Sequence, residues 1–439
     1  MDPIESRINE LDFSGRFLEA LIHQTQNETG MDFLDILTRT SKVLRQCLLE
    51  ADMIKTVKVS SAEFWKGQRG KKLSFIDGGV SSVQLPVANL IGIRAGSYTV
   101  ELGKSLEDKE REKFDIKGCI VDDLFNSELM EDDFDDTSTL TDAARMLVEI
   151  LATESVVLND PTINAVFVHG PLINPAAPYG RQGTSYTPGF PNFSKDGQDQ
   201  FSDISIGFKN SDDSDKKHFI SAYRAVLERL YQSKTLVAGV VERPAKRSVA
   251  VVNTLLDNLH KNGLLSKTAR AEFKTRIDFL QQHKMGDALI FSVVLAPGEY
   301  IMPFRVERQG GRGKWPQKWA GNIERIPNPM VAFLRTSAES DVVRLECFES
   351  STTEEQIYLC ELTMKMSQLL PKYSFPVGLD IVDKEAKVPR WLTKGIESQY
   401  GIAMLREALK SKNPDDIHYA KRILLANGRD WLFRPKAGI

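Results

Sequence analysis

A chain of 439 residues can bury one large elaborated core or two modest ones. With 41% hydrophobic residues, a formal net charge of −3 and no uninterrupted apolar run of about 18 residues, it is neither a disordered chain nor a helical membrane protein. The balance of 57 basic against 60 acidic residues leaves nucleic-acid binding open, because a local basic channel is enough to hold phosphates.

Residues 1–66 are expected to form an N-terminal helical region, since Phe17, Leu18, Leu21 and Ile22, then Phe33, Leu34, Ile36, Leu37, Val43, Leu44 and Leu48, recur at roughly helical spacing. A larger domain over residues 67–439 follows. It opens with Leu73-Ser-Phe-Ile-Asp77-Gly-Gly-Val80, a short apolar run predicting a buried strand that ends in a turn at the glycines. Residues 88–102 alternate as a strand antiparallel to it. Charge dominates residues 107–136, and the acidic patch at 131–136 is read as a solvated loop.

Ala144, Leu147, Val148 and Leu151 then form the apolar stripe of a helix with Ser, Thr and Asp capping candidates before it. Asn164 to His169 reads as a second buried strand with a polar residue at its carboxyl end. The order strand, helix, strand predicts an α/β core. Residues 174–215, rich in Gly, Pro, Ser and Asn, read as a long functional loop or lid.

Beyond it the pattern predicts helices near 217–232, 248–260 and 267–282, and strands near 235–242, 289–294, 300–307, 330–335 and 342–348. The last third returns to helix, over 353–370 and in a C-terminal helical region from about 396. The cysteines Cys47, Cys119, Cys347 and Cys360 are far apart and show no C-x-x-C spacing, so reduced thiols are expected. The first residues carry no basic stretch followed by an apolar core, and a cytoplasmic protein is the expectation.

No phosphate-cradling glycine loop, dinucleotide fingerprint, nucleophile elbow or H-E-x-x-H helix occurs. What remains are polar residues at the ends of apolar strands, Asp77 and His169, where open α/β sheets place their ligands. A carboxylate backed by glycines suits a divalent ion that must approach a phosphate closely. The competing readings are an Asx turn at Asp77 and a core histidine satisfied by a backbone carbonyl at His169.

Five motifs in one order carry a resemblance: Phe75-Ile-Asp77-Gly-Gly79, Arg145-Met-Leu-Val-Glu149, Val168-His169-Gly-Pro-Leu172, Val237-Ala-Gly-Val-Val-Glu242-Arg243, and Phe375-Pro376 with Val382-Asp383 ahead of a helix. Over most of residues 70–400 the chain resembles the NurA family of DNA-end-processing nucleases. The resemblance implies an RNase H-like mixed central sheet flanked by helices. It also implies Mn²⁺ or Mg²⁺ held by Asp77, Glu149, His169 and Asp383, which would be the catalytic residues. Where the family has aspartate, tyrosine and often histidine, this chain has His169, Phe375 and Asp383. Carboxylate and imidazole have in effect changed places, which keeps the ligand inventory and suits Mn²⁺ as well as Mg²⁺.

DNA contact is expected from Arg243, Lys384, Lys387 and the Gly-rich basic segment holding Arg308, Arg312, Lys314 and Trp315, where bases can stack on the indole. The family implies a homodimer working with a HerA-type hexameric ATPase in DNA repair or anti-phage defence, with no membrane partner. The alternative is a catalytically weak or inactive subunit that binds DNA ends and regulates the ATPase. An RNase H-like enzyme acting on RNA or on hybrids is a further rival.

Overall fold

A computed structural model describes residues 31–57, 60–84, 89–105, 107–121, 134–173, 219–244, 248–283, 285–307, 324–370, 374–411 and 413–427. The strands are β1 (Ile54–Thr56), β2 (Lys72–Gln84), β3 (Asn89–Glu101), β4 (Glu112–Val121), β5 (Ile163–His169), β6 (Leu236–Val241), β7 (Glu299–Ile301), β8 (Phe304–Arg305), β9 (Pro329–Leu334) and β10 (Val343–Phe348). They form one sheet in the order β1-β7-β9-β10-β6-β5-β2-β3-β4, with β8 beside β9. β2, β3 and β4 make an antiparallel meander, β5 and β6 run parallel to β2, and β10 returns antiparallel to β6. This is the mixed α/β sheet that the RNase H-like expectation requires.

The helices are α1 (Met31–Glu50), α2 (Ser61–Gly67), α3 (Phe134–Asn159), α4 (Phe219–Tyr231), α5 (Ala250–Lys261), α6 (Lys267–Gln282), α7 (Asp287–Val294), α8 (Thr353–Ser367), α9 (Val377–Ala386), α10 (Arg390–Lys410) and α11 (Pro414–Asn427). β5 is apolar on both sides because both faces of the sheet are covered. Val166 and Val168 pack with Leu147 and Val148 of α3 and Leu227 of α4. Phe167, on the other face, joins Phe75, Leu359 of α8 and Leu379 of α9. Phe75 stacks between Tyr98 and Phe167 at 5.9 and 5.7 Å. A fully buried ring or Leu of this kind contributes about 1.5–3 kcal/mol.

The structure corrects the sequence reading at several points. Residues 289–294 form helix α7, not a strand: a short apolar run with β-branched residues fits a buried helix equally well, and periodicity does not separate the two. The strand expected over 300–307 is two short pieces, β7 and β8. β4 lies within the charged stretch where no strand was expected, because an edge strand with exposed Phe114 and Ile116 keeps little apolar alternation. Near the N-terminus the described part is α1 followed by edge strand β1 rather than helix alone. The segments 1–30, 122–133, 174–218 and 308–323, with the expected loop and basic stretch, lie outside the described residues.

One buried carboxylate joins two helices. The Asp287 side chain, at the start of α7, accepts the N–H groups of Val251 and Val252 at 3.2 and 2.8 Å and so caps α5, whose own N-cap residue Val249 makes no such bond. Burial pushes its pKa up to about 6 against those two hydrogen bonds. A raised folded-state pKa means that the group's contribution is complete below the unfolded value of 3.8 and is lost as pH rises through about 6. Between pH 4 and pH 7 the protein is therefore expected to lose about 2–3 kcal/mol that Asp287→Asn does not lose, as read from urea unfolding. Parallel pH dependences in the two proteins would contradict this.

Candidate metal centre

Asp77 is the sixth residue of β2, and the strand runs on through Gly78 and Gly79 to Gln84, so the expected turn does not occur there. The glycines serve packing instead. A Cβ on Gly78 would overlap the Glu149 side chain, and one on Gly79 would overlap the carbonyl of Ala386 at the end of α9. The Asx-type bond is still made, with Gly78 N–H donating to Asp77 Oδ1 at 2.8 Å. β5 pairs with β2 as far as Ile76 opposite Val168. One step further, where β5 ends and β2 continues, the side chains of His169 and Asp77 meet in the crevice beyond the carboxyl end of a parallel strand.

His169 Nδ1 lies 3.1 Å from Asp77 Oδ2, so this histidine is satisfied by a carboxylate rather than by a backbone carbonyl. Its ring packs against Phe375, centroids 4.9 Å apart at 50°. Asp383 sits inside α9 and not ahead of a helix as the motif suggested. Ligand atoms of Asp77, His169 and Asp383 all lie within 4.8 Å of one another. The donors come from β2, β5 and α9, elements far apart in sequence.

Glu149 reaches the same place from the opposite face of the sheet. It is 5% exposed on α3, and Arg145 one turn earlier donates to its Oε1 at 2.5 Å. The five-residue offset to Glu154 separates the two glutamates, since Glu154 pairs with Arg229 of α4. Burial, with the nearby Asp77 charge adding to it and Arg145 opposing, pushes Glu149 up to about 7. Burial also raises Asp77 above the usual carboxylate range despite the His169 bond, and the neighbouring Asp383 carboxyl adds to the rise. At His169 burial acts downward, but the bond and charge of Asp77, with Asp383 and Glu149, outweigh it and hold the imidazole above its ordinary value.

Crowded, desolvated carboxylates beside an imidazole are costly without a cation between them. The donor set of oxygens plus one nitrogen fits a divalent ion that Asp77, His169 and Asp383 would hold.

The expected DNA-contacting lysines flank the cluster. Lys384 pairs with Asp380 at 2.6 Å, and Lys387 pairs with Asp383 itself. The Asp383 bond first, then the charges of Asp77 and Asp380, hold the Lys387 ammonium above its ordinary pKa. Arg94 of β3, which sequence reasoning did not single out, donates to the Lys387 carbonyl at 3.5 Å and ties α9 to the sheet. Nothing in the alternation of β3 marks this arginine. Arg243, at the end of β6, is exposed beside Glu242. Arg308, Arg312, Lys314 and Trp315 fall outside the described residues.

Lys387 is the exposed counter-ion of a candidate ligand, so Lys387→Met is expected to tighten Mn²⁺ binding by about two- to five-fold, the range of an exposed ion pair. Calorimetric titration with Mn²⁺ reads this directly, and an unchanged or weaker affinity would contradict it.

Comparison with curated proteins finds no match. Among solved structures, the NurA nuclease from Sulfolobus solfataricus is similar at 12% identity and a TM-score of 0.46, over 90% of this chain and 98% of that one. NurA bound to dAMP and manganese follows at 9% identity and a TM-score of 0.39, covering 87% and 94%. NurA with manganese has 8% identity and a TM-score of 0.39, covering 86% and 94%. Among the described residues no helix is long and apolar enough to cross a membrane. The NurA domain model matches residues 71–388, a span that contains β2 to β10, the Asp77, His169 and Asp383 cluster and Glu149, and the chain therefore belongs to the NurA family.

Proposed function

We propose that the chain is a divalent-metal-dependent DNA nuclease that processes DNA ends. The observation that carries this reading is the meeting of Asp77, His169 and Asp383 within 4.8 Å at the carboxyl edge of β5, with buried Glu149 alongside. Solved structures in the same family hold manganese, one of them with dAMP. Family membership supports Mn²⁺ here and a deoxynucleotide as the product.

Asp77, His169 and Asp383 would hold the ion, which when bound supplies Lewis acidity toward a phosphate oxygen and lowers the pKa of water. Asp77 and Asp383 set the negative charge of the centre. His169, ordered by Phe375 and Asp77, adds the nitrogen donor. Glu149 Oε1 is taken by Arg145, which leaves Oε2 to accept a proton, and a pKa of about 7 places that group near the operating pH. Lys384 and Lys387, which pair with Asp380 and Asp383, would contact phosphates that approach the cluster. A HerA-type hexameric ATPase and a second copy of the chain are the proposed partners, in repair or anti-phage defence.

The test uses purified protein with Mn²⁺ on linear DNA, RNA and hybrid substrates, alone and with the ATPase. Cleavage of DNA in preference to the others supports the reading. A clear preference for RNA would overturn the substrate class. Absence of Asp77-dependent cleavage in every condition would favour the alternative, a weak or inactive subunit that binds DNA ends and regulates the ATPase.

A further inference from the structure

Glu346 is a carboxylate buried in an otherwise apolar setting. It is 3% exposed on β10 among Val168, Leu172, Ile173 and Phe348, all buried apolar residues. Its Oε1 pairs with Arg344 Nη2 at 2.7 Å, and its Oε2 accepts the backbone N–H of Ile173 at 3.3 Å. A buried ion pair of this kind is weak evidence for stability, because well-packed apolar replacements are often neutral or stabilising.

What the carboxylate holds is the chain segment that leaves the metal centre. After His169 the backbone bonds once more to β6, Gly170 N–H to Val240 O at 2.8 Å, and Gly170 takes φ 115°, a conformation that favours glycine. The segment then folds over β6. A Cβ on Gly239 would overlap the backbone of Gly170 and Leu172, so the two chains touch without a side chain between them. Gly239 lies opposite Val168 on one side and Glu346 on the other, and these three residues form a row across the sheet beside His169.

We propose that Glu346 is a positioning residue for the nuclease centre, fixing the Gly170–Ile173 segment and through it the place of His169. The hydrogen bond to Ile173 N–H closes a short loop whose other end is the strand residue carrying the imidazole. Loss of that acceptor frees the segment to lift from Gly239, and His169 then loses its alignment with Asp77. Arg344, bonded to Oε1, orients the Glu346 carboxylate so that Oε2 is left for Ile173. This inference rests on the nuclease reading for its consequence, but not for the geometry it describes.

The test compares the full-length wild type with Glu346→Gln, Glu346→Asp and Glu346→Leu. Three quantities are read: melting temperature, the ¹H–¹³C imidazole peak of His169 in metal-free protein, assigned with His169→Gln, and kcat and KM for linear DNA with Mn²⁺. Glutamine still offers Ile173 an oxygen and is expected to keep kcat within about two-fold. Aspartate is one methylene too short and leucine has no acceptor; both are expected to lower kcat about ten-fold at unchanged KM and to move the His169 peak. Melting of the aspartate variant, which keeps a carboxylate on β10, should not fall in step with kcat, whereas the leucine variant also leaves Arg344 without its partner and melts lower; the aspartate variant therefore separates positioning from mere support of the fold. A folded Asp or Leu variant with the wild-type peak and kcat would overturn the proposal, and the Asp variant decides if the Leu variant does not fold. A wild type that cleaves nothing would refute the nuclease reading, while the His169 peak would still judge the role of Glu346.

Discussion

Asp77→Asn is expected to lower kcat for DNA cleavage by at least about a thousand-fold while leaving the protein folded. Asparagine has the same shape, and its oxygen can keep the bond from Gly78 N–H. Asp77 is 4% exposed and burial raises its pKa, so the fold does not depend on its charge, and the melting temperature of the metal-free variant should equal or exceed that of the wild type. What the substitution removes is the anionic oxygen of a group that faces both His169 and Asp383. The pair of measurements is thermal melting and steady-state cleavage with Mn²⁺. Activity within ten-fold of the wild type would remove Asp77 from the chemistry, and a large drop in melting temperature would make its role structural.

Glu149→Gln is expected to lower kcat by about a hundred-fold, the range of a general acid or base group. Its effect on stability depends on pH, with a sign fixed by the raised pKa. Because the folded-state value is about 7 against 4.5 for the free group, the carboxyl's contribution is complete below pH 4.5 and lost as pH rises through about 7. Metal-free Glu149→Gln should therefore melt above the wild type at pH 8 and lose that advantage near pH 5. Added Mn²⁺ should raise the wild-type melting temperature more than that of the variant. A variant less stable than the wild type at pH 8 without metal would show that the ionised Arg145 pair, not desolvation, dominates at this position.

The residues that the structure brings together were named from the sequence on different grounds. Asp77 and His169 stood out because acidic and imidazole groups interrupt apolar strands that both faces of the sheet bury. Glu149 was named through the Arg-x-x-x-Glu pattern of the resemblance, and the four-residue offset becomes a contact with Arg145 across one helical turn. Asp383 was placed by motif order but not by conformation, since nothing in the local pattern marks it as lying inside α9 rather than before it. Gly78 and Gly79 were taken for a turn; their true cause, the close approach of Glu149 and of the α9 backbone, is tertiary and leaves no local signal. Helix α7 was misread for a related reason, as its capping partnership is with α5 through Asp287 and is invisible along the chain. The sheet was readable in β2, β3, β5, β6, β9 and β10, and less so where β1 and β8 are only three and two residues long and where the described residues of β4 include the exposed Phe114 and Ile116.

The account turns on one ion held by donors from β2, β5 and α9. Anomalous diffraction from crystals of the protein soaked in Mn²⁺ tests it most directly. The prediction is a single strong peak, or a close pair, within bonding distance of Asp77, Asp383 and a ring nitrogen of His169, lost in Asp77→Asn. A peak bound elsewhere, or no peak at this cluster at saturating Mn²⁺, would contradict it.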